Sequence, residues 1–260
     1  MDSSGNAYVA GDTGSPNLPV DDSPFPYTTY NGGGDAFVAK VDATGTVLEY
    51  CGYIGGSGLD SGVAIAVDSD FNAYITGNTF SKTSFPVTSG PDLIFNGGSN
   101  DAFVAKVKAD GSALVYCGFI GGAGDDYGMG IAVDKVGNAY VAGSTASAEG
   151  FPVAGGPDLS HNGMSDSFVA KVKVDGKGLD YCGFIGGAYD DFGFGIAVDG
   201  SGNAYVTGGT ISDNQSFPVT GVPDLLANNK LVDAFIAKIR EDDFPWPAFL
   251  PAIMEGGKKK

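Results

Sequence analysis

The chain has 260 residues, room for one large domain or two small ones, and 43% are hydrophobic, enough for a core and too many for wholesale disorder. Glycine and proline are abundant (43 and 13) but follow no triplet period, which excludes a collagen-like chain, and no run of about 18 apolar residues offers a membrane-spanning helix. A net charge of −17 with one arginine, Arg240, argues against nucleic acid and anionic membranes as partners, since both demand basic surface.

The acid is 27 Asp against 4 Glu. Asp favours turns and caps, Glu favours helix interiors, so strands and turns are expected. In chain order, the first readable strand is GNAYVAG from Gly5. It returns as FNAYITG at Phe71, GNAYVAG at Gly137 and GNAYVTG at Gly202. Next comes DAFVAK at Asp35, copied at Asp101, at Asp166 as DSFVAK and at Asp233 as DAFIAK. The turn Asp42-Ala-Thr-Gly45 leads to a third string, YCG[FY]IGG, which carries Cys51, Cys117 and Cys182. A fourth string ends in AVD at Asp68, Asp134 and Asp199, and a short loop returns the chain to Asn72, Asn138 and Asn203. All four strings share a period of about 66 residues, so the chain is a tandem repeat.

Each string reads as a strand with two mostly apolar faces, as in a sheet covered on both sides. A four-stranded antiparallel meander of this kind cannot bury itself, whereas radial stacking covers both faces. The expected fold is all-β: a β-propeller of four-stranded antiparallel blades, about four in this chain. A β-solenoid fits less well, because its coils are shorter and lack repeated tight hairpins. The expected blades are 1–55, 56–121, 122–186 and 187–243, with AVD innermost and the first blade lacking that strand. An insert also repeats, as Phe85-Pro-Val, Phe151-Pro-Val and Phe217-Pro-Val, followed by Pro91-Asp-Leu, Pro157-Asp-Leu and Pro223-Asp-Leu. It is expected to be an ordered loop projecting from the same face of every blade. Residues 244–260 form a Pro-rich tail whose 249–254 stretch is placed as the last outer strand, followed by a flexible Lys end. Four blades is the low end for a closed ring. Closure within the chain, pairing with a second copy, and membership of a longer protein all stay open.

The strings GGxxDDYGxGIAVDxxGNAYVTG and DAFVAK resemble the bacterial beta-propeller repeat family, often described as seven-bladed. The resemblance covers about residues 5–240. It implies a propeller in secreted or surface proteins, usually of no assigned activity, and brings no catalytic residues with it.

Polar positions copied in every repeat are expected to serve the fold as turns, caps and inter-blade bonds. Calcium is the functional alternative, because its oxygen ligands come from Asp and carbonyls in Gly-rich loops. Its candidates are Asp60, Asp125, Asp126, Asp190 and Asp191, placed in the loops before the inner strand, although no EF-hand spacing is present. The three cysteines, one per blade, are expected to be buried and unbridged. His161, the only histidine, takes the place of Phe95 in the insert and is expected on a surface loop. No nucleophile elbow or Walker loop occurs. Tyr127 and Phe192 are candidates for stacking a glycan, and Trp246 for anchoring the tail or meeting a partner. Residues 1–4 do not read as a signal peptide. The function expected is a non-catalytic extracellular or cell-surface module for structure or protein interaction, self-assembling or binding a protein partner. The alternatives are a calcium-dependent carbohydrate-binding or adhesive module, and a propeller lyase or hydrolase.

Overall fold

The structure is a computed structural model and describes residues 1–20, 22–213, 216–218 and 232–240. Among these residues there are 14 strands in four antiparallel sheets. The first sheet holds β1 (Ala7–Thr13), β2 (Asp35–Val41) and β3 (Leu48–Ile54). The second holds β4 (Asp60–Val67), β5 (Ala73–Thr79), β6 (Asp101–Val107) and β7 (Leu114–Ile120). The third repeats this order with β8 (Asp126–Val133), β9 (Ala139–Thr145), β10 (Asp166–Val172) and β11 (Leu179–Ile185). The fourth holds β12 (Asp191–Val198), β13 (Ala204–Thr210) and β14 (Asp233–Ile239). Each sheet is a meander in chain order, as expected of propeller blades. Among the described residues no helix is long and apolar enough to cross a membrane.

Turn chemistry sets the meander. Between β4 and β5, the Asp68 carboxylate accepts the N–H groups of Asp70 and Asn72, both at 2.9 Å. It thereby closes a loop that ends on a residue with positive φ. Glycine fills that position as Gly5, Gly137 and Gly202, but the second sheet uses Phe71, at φ 67°. The inner strands β4, β8 and β12 each carry a β-bulge, at Gly62/Ala64, Gly128/Gly130 and Gly193/Gly195. A bulge bends the strand and increases its local twist. A methyl at Gly77 or Gly143 would sit 1.8 Å from the carbonyl oxygen of Ser61 or Tyr127, so only glycine fits there.

Packing proceeds sheet on sheet. Three apolar cores lie at the three junctions between successive sheets. In the middle one, Tyr74, Val104 and Ile120 of the second sheet meet Val141, Phe168 and Phe184 of the third. No such core among the described residues joins the fourth sheet to the first.

The insert differs from expectation. It folds back along the outer strand instead of projecting. Thr88 and Ser89 exchange backbone hydrogen bonds with Cys117 at 3.0 and 2.8 Å, and Phe119 N–H donates to the Asp92 carbonyl at 2.8 Å. Ala154 and Asp158 do the same with Cys182 and Phe184. The reason is physical: an outer strand with an open edge is an aggregation hazard, and the insert covers that edge. Its phenylalanine then closes the wedge, with the Phe85 ring 5.0 Å from Phe103 and 5.5 Å from Phe119. The tail 244–260, its expected strand and Pro223-Asp-Leu lie outside the described residues.

Candidate functional site: the carboxylate crossings between sheets

The chain passes from one sheet to the next through the Gly-Gly pair that ends each outer strand. Two repeated aspartates meet there, and both are fully buried. The first opens the inner strand of the next sheet: Asp60, Asp126 or Asp191. These residues are strand residues, not loop residues as expected, because they pair with Thr79, Thr145 and Thr210 across the sheet. Asp126 Oδ2 accepts the Gly122 N–H at 2.7 Å and the Ser147 hydroxyl at 2.9 Å. Asp60 Oδ2 takes Gly56 N–H and Ser81 in the same way, its Oδ1 takes Thr79, and Asp191 Oδ2 takes Gly187 N–H and Ser212. Buried charge is tolerated only when hydrogen-bonded like this.

The second aspartate opens the third strand: Asp35, Asp101 or Asp166, with Asp233 as the copy in the fourth sheet. Oδ2 of the first three accepts the backbone N–H of Asn31, Asn96 or Asn162 at 2.9, 2.9 and 2.7 Å. Oδ1 of each is buried without a hydrogen-bond partner. Burial therefore pushes the Asp101 carboxyl up to about 7, against the Asn96 N–H bond and with help from the charge of Asp126. Burial likewise raises Asp126 and Asp166 to about 6, and it raises Asp35 and Asp191.

The other candidates are placed singly. Asp125 is half-buried and accepts the Ser99 N–H at 2.6 Å, while the Asp190 backbone carbonyl receives Ile211 N–H. Among the described residues no group of three or more His, Cys, Asp or Glu comes together as a metal site. Tyr127 and Phe192 are also strand residues, half-buried at the second position of β8 and β12, and the Phe192 ring lies parallel to Phe194 at 6.2 Å. Trp246 lies outside the described residues. His161 is less exposed than expected: its ring meets Phe184 edge-on at 5.6 Å, as Phe95 meets Phe119 at 6.0 Å. The three cysteines are free and buried, and burial raises their thiols.

A second repeated unit lies at the turn into each second strand. Tyr74 donates to Asp68 at 2.9 Å and also to the Gly137 carbonyl of the next sheet at 3.1 Å. Lys106 lies 4.8 Å from the Tyr74 ring centroid and 3.7 Å from Asp68. The arrangement ties neighbouring sheets together. Sequence reasoning missed its first copy, Asp2 with Asn6 and Tyr8, because the Ala-Val pair that precedes Asp68, Asp134 and Asp199 does not precede Asp2. It also missed Ser81, Ser147 and Ser212, whose signal was their constant spacing from the inner-strand aspartates.

The family model described as SBBP, Beta-propeller repeat, matches residues 120–152 and 183–214. No curated protein matches the chain. Both matched segments contain the crossing glycines, the inner strand and the second strand, and the same strings recur in the other sheets. The chain is thus similar to the beta-propeller repeat family over these two segments, in keeping with its four antiparallel sheets.

Proposed function

We propose that this protein is a non-catalytic structural and protein-interaction module of the cell exterior, and that it self-associates through the outer faces of its first and fourth sheets. One observation carries the reading. The apolar positions that internal sheets bury are uncovered on the two outermost faces. Val9 in β1 is 44% exposed, whereas its copies Ile75 and Val141 are fully buried. Ile236 in β14 is 63% exposed, whereas its copies Val104 and Val169 are fully buried. Val104 and Val141 share the middle core, so Ile236 and Val9 belong to the two halves of one such junction. Two copies can meet there head to tail, and such contacts close into a ring when the rotation permits. The acidic, arginine-poor composition and the repeat family support the exterior location, and the use of Asp60, Asp126 and Asp191 Oδ2 to bind the crossing turn and Ser81, Ser147 and Ser212 supports a non-catalytic role.

Sedimentation velocity over a concentration series tests this. The expected result is a species heavier than one chain that Ile236→Asp returns to monomer. A monomer at every concentration, or an assembly indifferent to Ile236→Asp, overturns the proposal.

A further inference from the structure

The crossings hold buried acceptor oxygens with no donor facing them. At the crossing from the second to the third sheet, a methyl on Gly121 would stand 2.9 Å from Asp101 Oδ1 and 2.9 Å from Asp126 Oδ2. The two carboxyls therefore flank the same point. Asp126 Oδ2 is held by Gly122 and Ser147, whereas Asp101 Oδ1 and Asp126 Oδ1 have no hydrogen-bond partner. Two like charges so close in a dry site cannot both ionise without large cost. The other titratable groups that Asp101 feels are Asp92 and Lys82 from the insert of its own sheet, and Asp125 adds to the charge on Asp126. Lys82 is spent elsewhere, on the Gly98 carbonyl and over the Phe95 ring. At the other two crossings the third-strand aspartate holds the same place. Asp35 Oδ1 and Asp166 Oδ1 lie 2.7 and 2.4 Å from a methyl position on Gly55 and Gly186 and are likewise unpartnered. Asp35 feels Asp60; Asp166 feels Asp191, Asp158 and His161.

We propose that each crossing is closed by a shared proton: Asp101 carries it on Oδ1 and donates it to the Asp126 carboxylate, and Asp35–Asp60 and Asp166–Asp191 form equivalent pairs. The proton supplies the missing donor and leaves one negative charge per crossing instead of two. The Gly-Gly signature then has a cause, since a side chain at the first glycine would displace the carboxyl pair. The propeller becomes a fold stabilised by mild acid. A carboxyl raised above its unfolded value binds its proton more tightly when folded, so its contribution is present at low pH and is lost as pH rises through the folded value. Asp101 at about 7 and Asp166 at about 6 put that loss between about pH 4 and 7. The turn aspartates act oppositely. Bonds from the Thr44 hydroxyl and Val47 N–H lower Asp42 to about 2, and bonds from the Asn203 side chain and N–H lower Asp199 to about 2, so their contribution is lost below about pH 4.

The test is the melting temperature of the full chain from pH 4 to 8, for the native protein and for Asp101→Asn. The native Tm should be highest near pH 4–5 and fall towards pH 8. Asparagine places a permanent N–H where the proton sits, so Asp101→Asn should melt about 2–4 °C above the native protein at pH 8, the shift for about 1 kcal/mol at this size, and should flatten the slope. A native Tm that is constant or rises from pH 5 to 8, or an Asp101→Asn protein with the native slope, overturns the proposal. A rise in native Tm with calcium, reversed by chelator and absent in Asp101→Asn, overturns it in favour of a bound cation. Should the variant fail to fold, infrared spectra of the native protein decide: a buried protonated-carboxyl band at pH 5 that fades by pH 8 supports the pair, and its absence contradicts it.

Discussion

The second and third sheets differ from the first and fourth in surroundings far more than in sequence. Strand β9 of the third sheet, Ala-Tyr-Val-Ala-Gly-Ser-Thr, is buried throughout, while β1, Ala-Tyr-Val-Ala-Gly-Asp-Thr, is mostly half-buried or exposed. Strand β6 is buried at every position, and its copy β14 alternates between exposed and half-buried until its last residue. Burial here belongs to the place of a sheet in the stack, because each sheet supplies half of a core and receives the other half from its neighbour. A repeated residue is therefore worth several kcal/mol in one copy and little in another.

The sharpest way to break this comparison is at the second-strand glycine. In the third sheet a methyl on Gly143 would meet the Tyr127 carbonyl at 1.8 Å, whereas on Gly11 it would meet only the Phe37 ring, at 2.9 Å, since no described inner strand lies beside β1. Gly143→Ala should cost about 3 kcal/mol or more, or abolish folding, while Gly11→Ala should cost about 1 kcal/mol or less. Chemical denaturation of both variants measures the difference, and equal losses would contradict the account.

A smaller effect is expected in the cores. Ile75→Ala should cost about 2–4 kcal/mol through the cavity it leaves in the first junction. Val9→Ala, at the equivalent position, should cost about 0.5 kcal/mol or less in dilute solution. If Val9→Ala loses more as concentration rises, the lost contacts lie between copies.

The smallest effect probes the turns. Phe71 holds a positive φ where the other copies use glycine. Phe71→Gly relieves a conformation costing about 1 kcal/mol but loosens the unfolded chain and removes a half-buried ring, so its net change in denaturation midpoint should stay within about 1 kcal/mol.

The strands were legible because each string carried apolar residues on both faces and turn residues at both ends. The start of the inner strand was not: Asp60-Ser-Gly62 shows no apolar alternation, and only its pairing with Gly77, Asn78 and Thr79 makes it a strand. The fold-back of the insert was hidden for a similar reason. Main-chain bonds make it, and Gly118 and Gly183, which permit the close approach, read as ordinary strand glycines. The aspartates of the crossings were visible as repeats. Their meeting was not, since Asp101 and Asp126 lie on different sheets and only the Gly-Gly turn brings them together.

Hydrogen exchange along the second strands tests the central claim most directly. The β5 segment, Ala73–Thr79, should be protected to the level of global unfolding at any concentration. The β1 segment, Ala7–Thr13, should exchange fast when dilute and gain protection as concentration rises and the outer faces meet. Equal protection of β1 and β5 in dilute solution, or a β1 segment that stays unprotected at every concentration, would contradict the account.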